Sequence, residues 1–273
     1  MRKYLAVLVS GGRSSARMAR HIQTDPKYEE YEKLYVFCNT GQERPETIQF
    51  LKDMVYHWNI PLNIIEGVYS LEKGCGVKSK LVDFDTMDMK GRVFSEMIAH
   101  VNKNKWVGVP NQAVPYCSDY LKTRVSHHFS KLIFGTTKYV KALGYRKEDM
   151  PKRITFAELK EDKTRIAPNL TDFETPIGNL ELNVFFDNEP FKLGIHSKLG
   201  NCELCNKKSD LNLIESIKYG TRFIDWHVNE EEIYGNMFFR GNLSIMDLVN
   251  MANSGTQLKM FSSSGGDGCV CNF

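Results

Sequence analysis

The residues best suited to chemistry begin at Ser10-Gly11-Gly12-Arg13-Ser14-Ser15, directly behind the apolar run Leu5-Ala6-Val7-Leu8-Val9. Glycines accept positive φ and let backbone N–H groups approach an anion. Serine hydroxyls cap a helix or reach phosphate oxygens, and a helix amino end adds a favourable dipole. Together these make a phosphate cradle. The chain has neither a Gly-x-x-x-x-Gly-Lys-Ser/Thr loop nor a Gly-x-Gly-x-x-Gly fingerprint, so the two commonest nucleotide loops do not account for it. Gly12-Arg13-Ser14-Ser15-Ala16 also has the spacing of a hydrolase nucleophile elbow, with Ala16 where Gly is usual, and that reading makes Ser14 a nucleophile. An elbow follows a strand deep in a sheet, whereas only one strand precedes this loop. A plain Gly-Gly turn is the third reading.

The second set of residues is sulfur. Cys202-Glu203-Leu204-Cys205 places two thiolates on one turn, half of a tetrahedral site. No second Cys-x-x-Cys exists, so the other ligands must come from elsewhere: Cys269 or Cys271 from the tail Gly-Asp-Gly-Cys-Val-Cys-Asn-Phe, and Cys117. Soft thiolates suit zinc and iron–sulfur equally. A disulfide shuttle through Cys202 and Cys205 is the alternative, without a thioredoxin-type strand before it. Cys75, between Gly74 and Gly76, reads as an incidental turn residue. Arg146, in Gly144-Tyr145-Arg146-Lys147-Glu148-Asp149, carries a planar cation suited to phosphate or sulfate. Adjacent His127 and His128 would diverge by ~100° on a helix and are not expected to share a metal.

The elements that must hold these residues follow an alternating rhythm. Leu5–Val9 reads as a strand buried on both faces, and a helix from Ser14 to about Ile22 stops before Asp25-Pro26. A second strand, Leu34 to Cys38, ends in Asn39-Thr40-Gly41. A helix then opens at Pro45 with the stripe Ile48, Leu51, Val55 and Trp58, and Leu62 to Ile65 is a third strand. Strand, helix, strand, helix, strand is the pattern of a doubly wound parallel α/β sheet, whose ligands bind beyond the carboxyl ends of the strands. Arg92 to Val101 is helical, and Lys138 to Leu143 is the fourth strand, ending at Gly144. Residues 154–199 read as a linker with one short helix near Leu180 to Phe186 that closes over the site. Ser209 to Tyr219 and Ile245 to Ala252, the latter capped by Ser244, are amphipathic helices.

Composition sets the outer bounds. At 273 residues, 42% hydrophobic and 11% aromatic, the chain can build one α/β domain plus an appendage. The net charge of +3, from 36 basic and 33 acidic residues, does not call for a polyanionic partner in bulk. The amino terminus lacks a signal-peptide pattern, so a cytoplasmic protein is expected, in which seven cysteines are thiols or ligands rather than disulfides.

Ser10-Gly11-Gly12-Arg13-Ser14-Ser15 after strand one, with Asn39-Thr40-Gly41-Gln42-Glu43-Arg44-Pro45-Glu46-Thr47 after strand two, resembles the adenine nucleotide α-hydrolase superfamily. Its branch here is that of the 3′-phosphoadenylylsulfate (PAPS) reductases. Pro115-Tyr116-Cys117-Ser118-Asp119-Tyr120-Leu121-Lys122 and Leu143-Gly144-Tyr145-Arg146-Lys147-Glu148 are similar to further segments of that family. The resemblance implies a Rossmann-like, doubly wound, five-stranded parallel sheet over residues 1–200, with a helical, cysteine-containing appendage over 201–273. It also implies an adenine nucleotide, ATP or PAPS, held by Ser10, Gly11, Gly12, Ser14, Ser15, Asn39, Thr40, Gly41, Gly144 and Arg146. Arg146 and Lys122 would be catalytic, with Arg124 also on the helix that follows Cys117. Cys117, Cys202, Cys205 and Cys271 would hold a four-cysteine [4Fe-4S] cluster or zinc, as in relatives that include the enzyme of DNA phosphorothioation.

Two departures bear on the reaction. The ATP-pyrophosphatase loop has Asp where this chain has Ser14, and the Glu-Cys-Gly-Leu-His tail of the assimilatory reductases is absent. The expected activity is therefore either reduction of an adenylylated sulfate or ATP-dependent activation of an acceptor for sulfur transfer. The alternatives are a non-catalytic nucleotide-binding module with a zinc staple and a serine hydrolase using Ser14. Expected partners are a small-molecule nucleotide and a sulfur donor or thiol reductant protein. A nucleic-acid acceptor and a homo-oligomer stay open, and no membrane is expected.

Overall fold

The computed structural model describes residues 2–254, and Cys269 and Cys271 lie outside that range. Six strands build one sheet: β1 (Lys3–Val9), β2 (Tyr31–Cys38), β3 (Leu62–Val68), β4 (Lys78–Val82), β5 (Val140–Leu143) and β6 (Arg165–Ile166). Their order is β4-β3-β2-β1-β5-β6. All neighbours are parallel except β3 and β4, where Ile65 lies opposite Leu81. The expected five-stranded, all-parallel sheet is thus corrected to a mixed six-stranded one. The extra strand carries no apolar run, because β4 is a half-solvated edge on which even Leu81 is exposed.

The helices are α1 (Arg13–Thr24), α2 (Pro45–Trp58), α3 (Arg92–Asn102), α4 (Arg124–Phe134), α5 (Phe156–Glu161), α6 (Pro168–Thr171), α7 (Asn179–Asp187), α8 (Asp210–Tyr219), α9 (Ile224–Tyr234) and α10 (Ile245–Asn253). Alternate residues of β1 face opposite sides of the sheet, as a period of two requires. Leu5, Val7 and Val9 pack with α1, α2 and α7, while Ala6 and Leu8 pack with α4 and with Leu170 of α6. Both faces are therefore covered, which explains why β1 is apolar throughout. A third apolar cluster joins Val93, Phe94 and Met97 of α3 to Leu213, Ile245 and Leu248, so the C-terminal helices share a core with α3.

Several boundaries differ from expectation for local reasons. Helix α1 begins at Arg13 with Gly12 as its cap, so neither Ser14 nor Ser15 caps it. On α2 the buried face runs through Phe50 and Met54, with Val55 only half-buried. Residues 154–199 hold more than one short helix: α5, β6 and α6 precede α7, each too short to show a period. Helix α9 has no apolar stripe, because its buried side carries His227, Glu230 and Glu231. Among the described residues no helix is long and apolar enough to cross a membrane.

Candidate functional site

Because β1, β2 and β5 are adjacent and parallel, the loops that leave their carboxyl ends meet at one edge of the sheet. Gly11 takes φ +77°, and a Cβ there would lie 2.4 Å from Thr47 Cγ2. At Gly144 a Cβ would lie 2.6 Å from Ser15 Cα, so the β5 loop presses directly on the first turn of α1. Ser15 accepts from the Ser10 N–H (3.0 Å) and donates to the Gly12 carbonyl (2.9 Å), which braces the loop internally. No acceptor among the described residues takes the N–H groups of Gly12, Arg13 or Ser14, as is usual for the first turn of a helix. Gly11→Ala is expected to destabilise the fold by about 2 kcal/mol through left-handed strain and the Thr47 clash, read as a lower urea midpoint at unchanged m-value.

Beside the cradle lies a cleft of about 630 Å³ lined by Arg13, Arg146, Asn179, Asn183, His196 and Lys198, among others. Arg13 donates to Asn183 Oδ1 (2.6 Å) and Arg146 to Asn179 Oδ1 (2.7 Å), so α7 aims both guanidinium groups with neutral side chains. Asp149 accepts from the Arg146 N–H (2.8 Å) and stands 3.7 Å from its Nε. Burial and the nearby Arg146 both pull the pKa of Arg13 below the ordinary arginine value, and Asp187 offsets only part of this. Two guanidinium groups thus line one cleft beside the loop.

The loop after β2 serves the cysteines instead. The Asn39 amide is used within the fold, donating to Glu66 (2.8 Å) and to the Asp88 carbonyl (2.7 Å). Gly41 turns at φ +82° against Asp88. Thr40 Oγ1 lies 3.2 Å from Cys202 Sγ, and the backbone of Glu43 bridges to Cys202. Thr40, Lys122, Cys117, Cys202, Cys205 and His227 all line one cavity of about 30 Å³, room for an ion or a pair of waters. The proposed ligands on the described chain thus share a cavity, and Lys122 faces it rather than the Arg13 cleft. No three described His, Cys, Asp or Glu side chains converge closely enough to hold an ion as they stand. Cys271, the fourth expected ligand, lies outside the described residues.

Two residues of this cavity, Gln42 and His227, escaped the sequence reading, as did Cys38 beside it. Gln42 is buried, and its Nε2 has no hydrogen-bond partner among the described residues. Burial pushes the His227 pKa down to about 4, and Nδ1 donates to the Phe223 carbonyl (2.7 Å), leaving Nε2 as the ring acceptor. Cys38 closes β2 below the cavity. Its Sγ contacts the Lys122 carbonyl at 3.7 Å, and burial raises its pKa to about 12, so it is not a thiolate at neutral pH. Lys122 itself sits in a π-helical turn, Asp119–Thr123, that opens α4. Such wide turns concentrate at functional sites and leave no sequence period. Arg124 pairs with Asp119 on the surface (2.7 Å) and lines neither cavity. Cys75 lies in a turn with its Sγ 3.6 Å from Glu72.

The seven histidines bear on the hydrolase alternative. β1 proves to be an interior strand, so the positional objection to an elbow falls. Among the described residues, however, no histidine hydrogen-bonds Ser14: His21 meets Asp172, His127 meets Tyr139 and His128 meets Ser79. A serine without a base is not an activated nucleophile.

Comparison with known proteins yields one relative. The chain is 29% identical over 205 residues, 74% of its own length, to a protein of Escherichia phage lambda described as an uncharacterized nin region protein, ORF290. The match covers 66% of that protein, so the chain spans just under two thirds of the length of its curated relative. No family model matches the chain, and no solved structure matches it.

Proposed function

We propose that the chain is an adenine-nucleotide-dependent enzyme of sulfur metabolism, similar to the PAPS reductases, whose nucleotide lies across the carboxyl ends of β1 and β5. Its five parallel strands read as the Rossmann-like doubly wound core of that superfamily, with β4 added at one edge. The observation that carries the reading is the Arg13 and Arg146 pair facing a cleft beside a loop whose first-turn N–H groups have no acceptor among the described residues. An anionic ligand relieves both the mutual repulsion and the unsatisfied donors.

In this reading the phosphates or sulfate rest on Gly12, Arg13 and Ser14, and Arg13 and Arg146 stabilise the charge that grows on the leaving group. Two reactions use that arrangement. An acceptor oxygen attacks the α-phosphorus of ATP, the phosphorus–oxygen bond breaks, and pyrophosphate leaves with the electron pair. Alternatively, a thiolate attacks the sulfur of an adenylylated sulfate, a sulfur–sulfur bond forms, and the adenosine phosphate leaves. The second needs a thiol reductant as co-substrate. Cys117, Cys202 and Cys205 would, with Cys271, hold the zinc or iron–sulfur group, which supplies either a structural pin or an electron path. Thr40 and the Glu43 to Cys202 bridge tie that cavity to the strand-end loop.

Calorimetry with ATP, adenylylsulfate and PAPS tests the reading. At least one is expected to bind more tightly than ~1 mM, and failure of all three sinks it. Release of pyrophosphate or of a sulfonated thiol then separates the two reactions, and metal analysis beside the visible spectrum of anaerobically purified protein identifies the sulfur-bound group. A fluorophosphonate probe is expected to leave Ser14 unlabelled.

A further inference from the structure

The amino edge of the sheet, opposite the cradle, carries a second cleft of about 460 Å³ that the nucleotide reading does not use. It is lined by Arg2, Lys3 and Tyr4 at the start of β1, by Tyr31 at the start of β2, and by residues around the starts of β5 and β6 that include Lys138, Tyr139 and Lys163. No carboxylate is among its lining residues. Arg2 and Lys3 lean on Glu32 and Glu30 at its rim, whereas Lys138 and Lys163 are exposed and form no ion pair among the described residues. Next to the lining, burial and Arg165 hold Lys141 below its ordinary pKa against the opposing pull of Asp162, and burial, then Lys141, Lys131 and His128, lower His127. Four cationic side chains that line one cleft, with no carboxylate among the lining residues, suit a polyanion.

Shape narrows the class. The cleft crosses the starts of four neighbouring parallel strands, a span of about 14 Å at the usual strand spacing. The half-buried Tyr4 and Tyr31 line it beside the buried Tyr139, and the Lys3 ammonium lies 5.7 Å from the centre of the Tyr31 ring. Cations interleaved with aromatic side chains are the combination that single strands use, with phosphates on the lysines and bases against the rings. We propose that this amino-edge cleft binds the backbone of single-stranded nucleic acid, with Lys138 and Lys163 as its principal phosphate contacts. The site is remote from the nucleotide cradle and does not depend on the function assigned to it.

The test is fluorescence anisotropy of the full chain with a labelled oligothymidylate of about 12 nucleotides, the matching duplex, and phosphatidylserine vesicles as competitors. Four phosphate contacts predict a loss of affinity of about 50-fold between 50 and 200 mM salt for a single strand. Lys138→Glu/Lys163→Glu is expected to weaken binding at least about 10-fold and to flatten that salt slope. Lys138→Gln/Lys163→Gln, with an unchanged melting temperature, should do so less steeply. Arg146→Ala should bind the oligonucleotide as the parent does. The proposal falls if no anisotropy change develops, if the lysine variants bind as the parent does, if Arg146→Ala abolishes binding, or if duplex or vesicles compete better than the single strand.

Discussion

Arg146→Ala is expected to weaken binding of the preferred adenine nucleotide by about 100-fold while leaving the ligand-free fold in place. Arg146 is only 7% exposed and is held in place: Asn179 takes one guanidinium nitrogen at 2.7 Å, and the Asp149 carboxylate stands 3.7 Å from Nε. A charge-assisted bond from such a group to a phosphate or sulfate contributes about 1.5–3 kcal/mol, which is roughly 10- to 150-fold in affinity. The thermal readout separates this from simple damage. A parent protein at 100 times its dissociation constant gains about 2.7 kcal/mol, a rise of roughly 5–10 °C. At the same ligand concentration the variant gains about 0.4 kcal/mol, close to no shift. Arg146→Lys should recover only part, because an ammonium lacks the planar fork. A ligand-induced shift in Arg146→Ala equal to that of the parent would remove Arg146 from the site and the function built on it.

The parts of this architecture legible in the sequence are those where one residue type has one physical use. Leu5 to Val9 is buried on both faces and reads as continuous apolar sequence; Pro45 opens α2, and Ser209 and Ser244 cap α8 and α10 through their side chains. Cys117 lies 85 residues before Cys202 in sequence, yet it lines one cavity with Cys202 and Cys205. What stayed hidden depends on geometry that leaves no period. The five-residue strand β4 is a polar edge, the two residues of β6 are too few to alternate, and α9 buries His227, Glu230 and Glu231 and so carries no apolar stripe to read. The division of labour among the loops was hidden too. Thr40 and Asn39 sit at the strand end assigned to the nucleoside, but Asn39 is consumed by Glu66 and Asp88 and Thr40 turns to Cys202. Side-chain direction at a strand end follows from its neighbours, which a linear reading does not supply.

Arg44 is the clearest case of a residue whose importance is tertiary, and its removal should be the most damaging single truncation to stability. It ends the β2 loop directly before Pro45 and is 3% exposed. Its Nε donates to the Leu199 carbonyl (3.0 Å), one terminal nitrogen to the Gly220 carbonyl (2.8 Å), and the other to the carbonyl and hydroxyl of Ser216 (3.1 and 2.7 Å). Its plane also lies over the Tyr219 ring at 5.0 Å. One side chain therefore fastens the carboxyl edge of the sheet to both ends of the segment that carries Cys202 and Cys205. Arg44→Met keeps most of the apolar volume but leaves those buried acceptors unmet, a penalty of about 3 kcal/mol and a melting temperature lower by roughly 6–12 °C. The second consequence is local. With Leu199 and Gly220 released, the Thr40 to Cys202 contact loses its support, so Cys202 and Cys205 should react faster with a thiol reagent below the unfolding transition. Glu203→Gln supplies the comparison, because Glu203 is buried within the same segment and accepts from Thr221 (2.8 Å) and from the backbone and side chain of Arg222 (2.9 and 2.8 Å). Loss of stability in Arg44→Met with unchanged thiol reactivity would mean that the arginine supports the helices alone. No loss of stability at all would show that water satisfies the three carbonyls, and the anchoring account would be wrong.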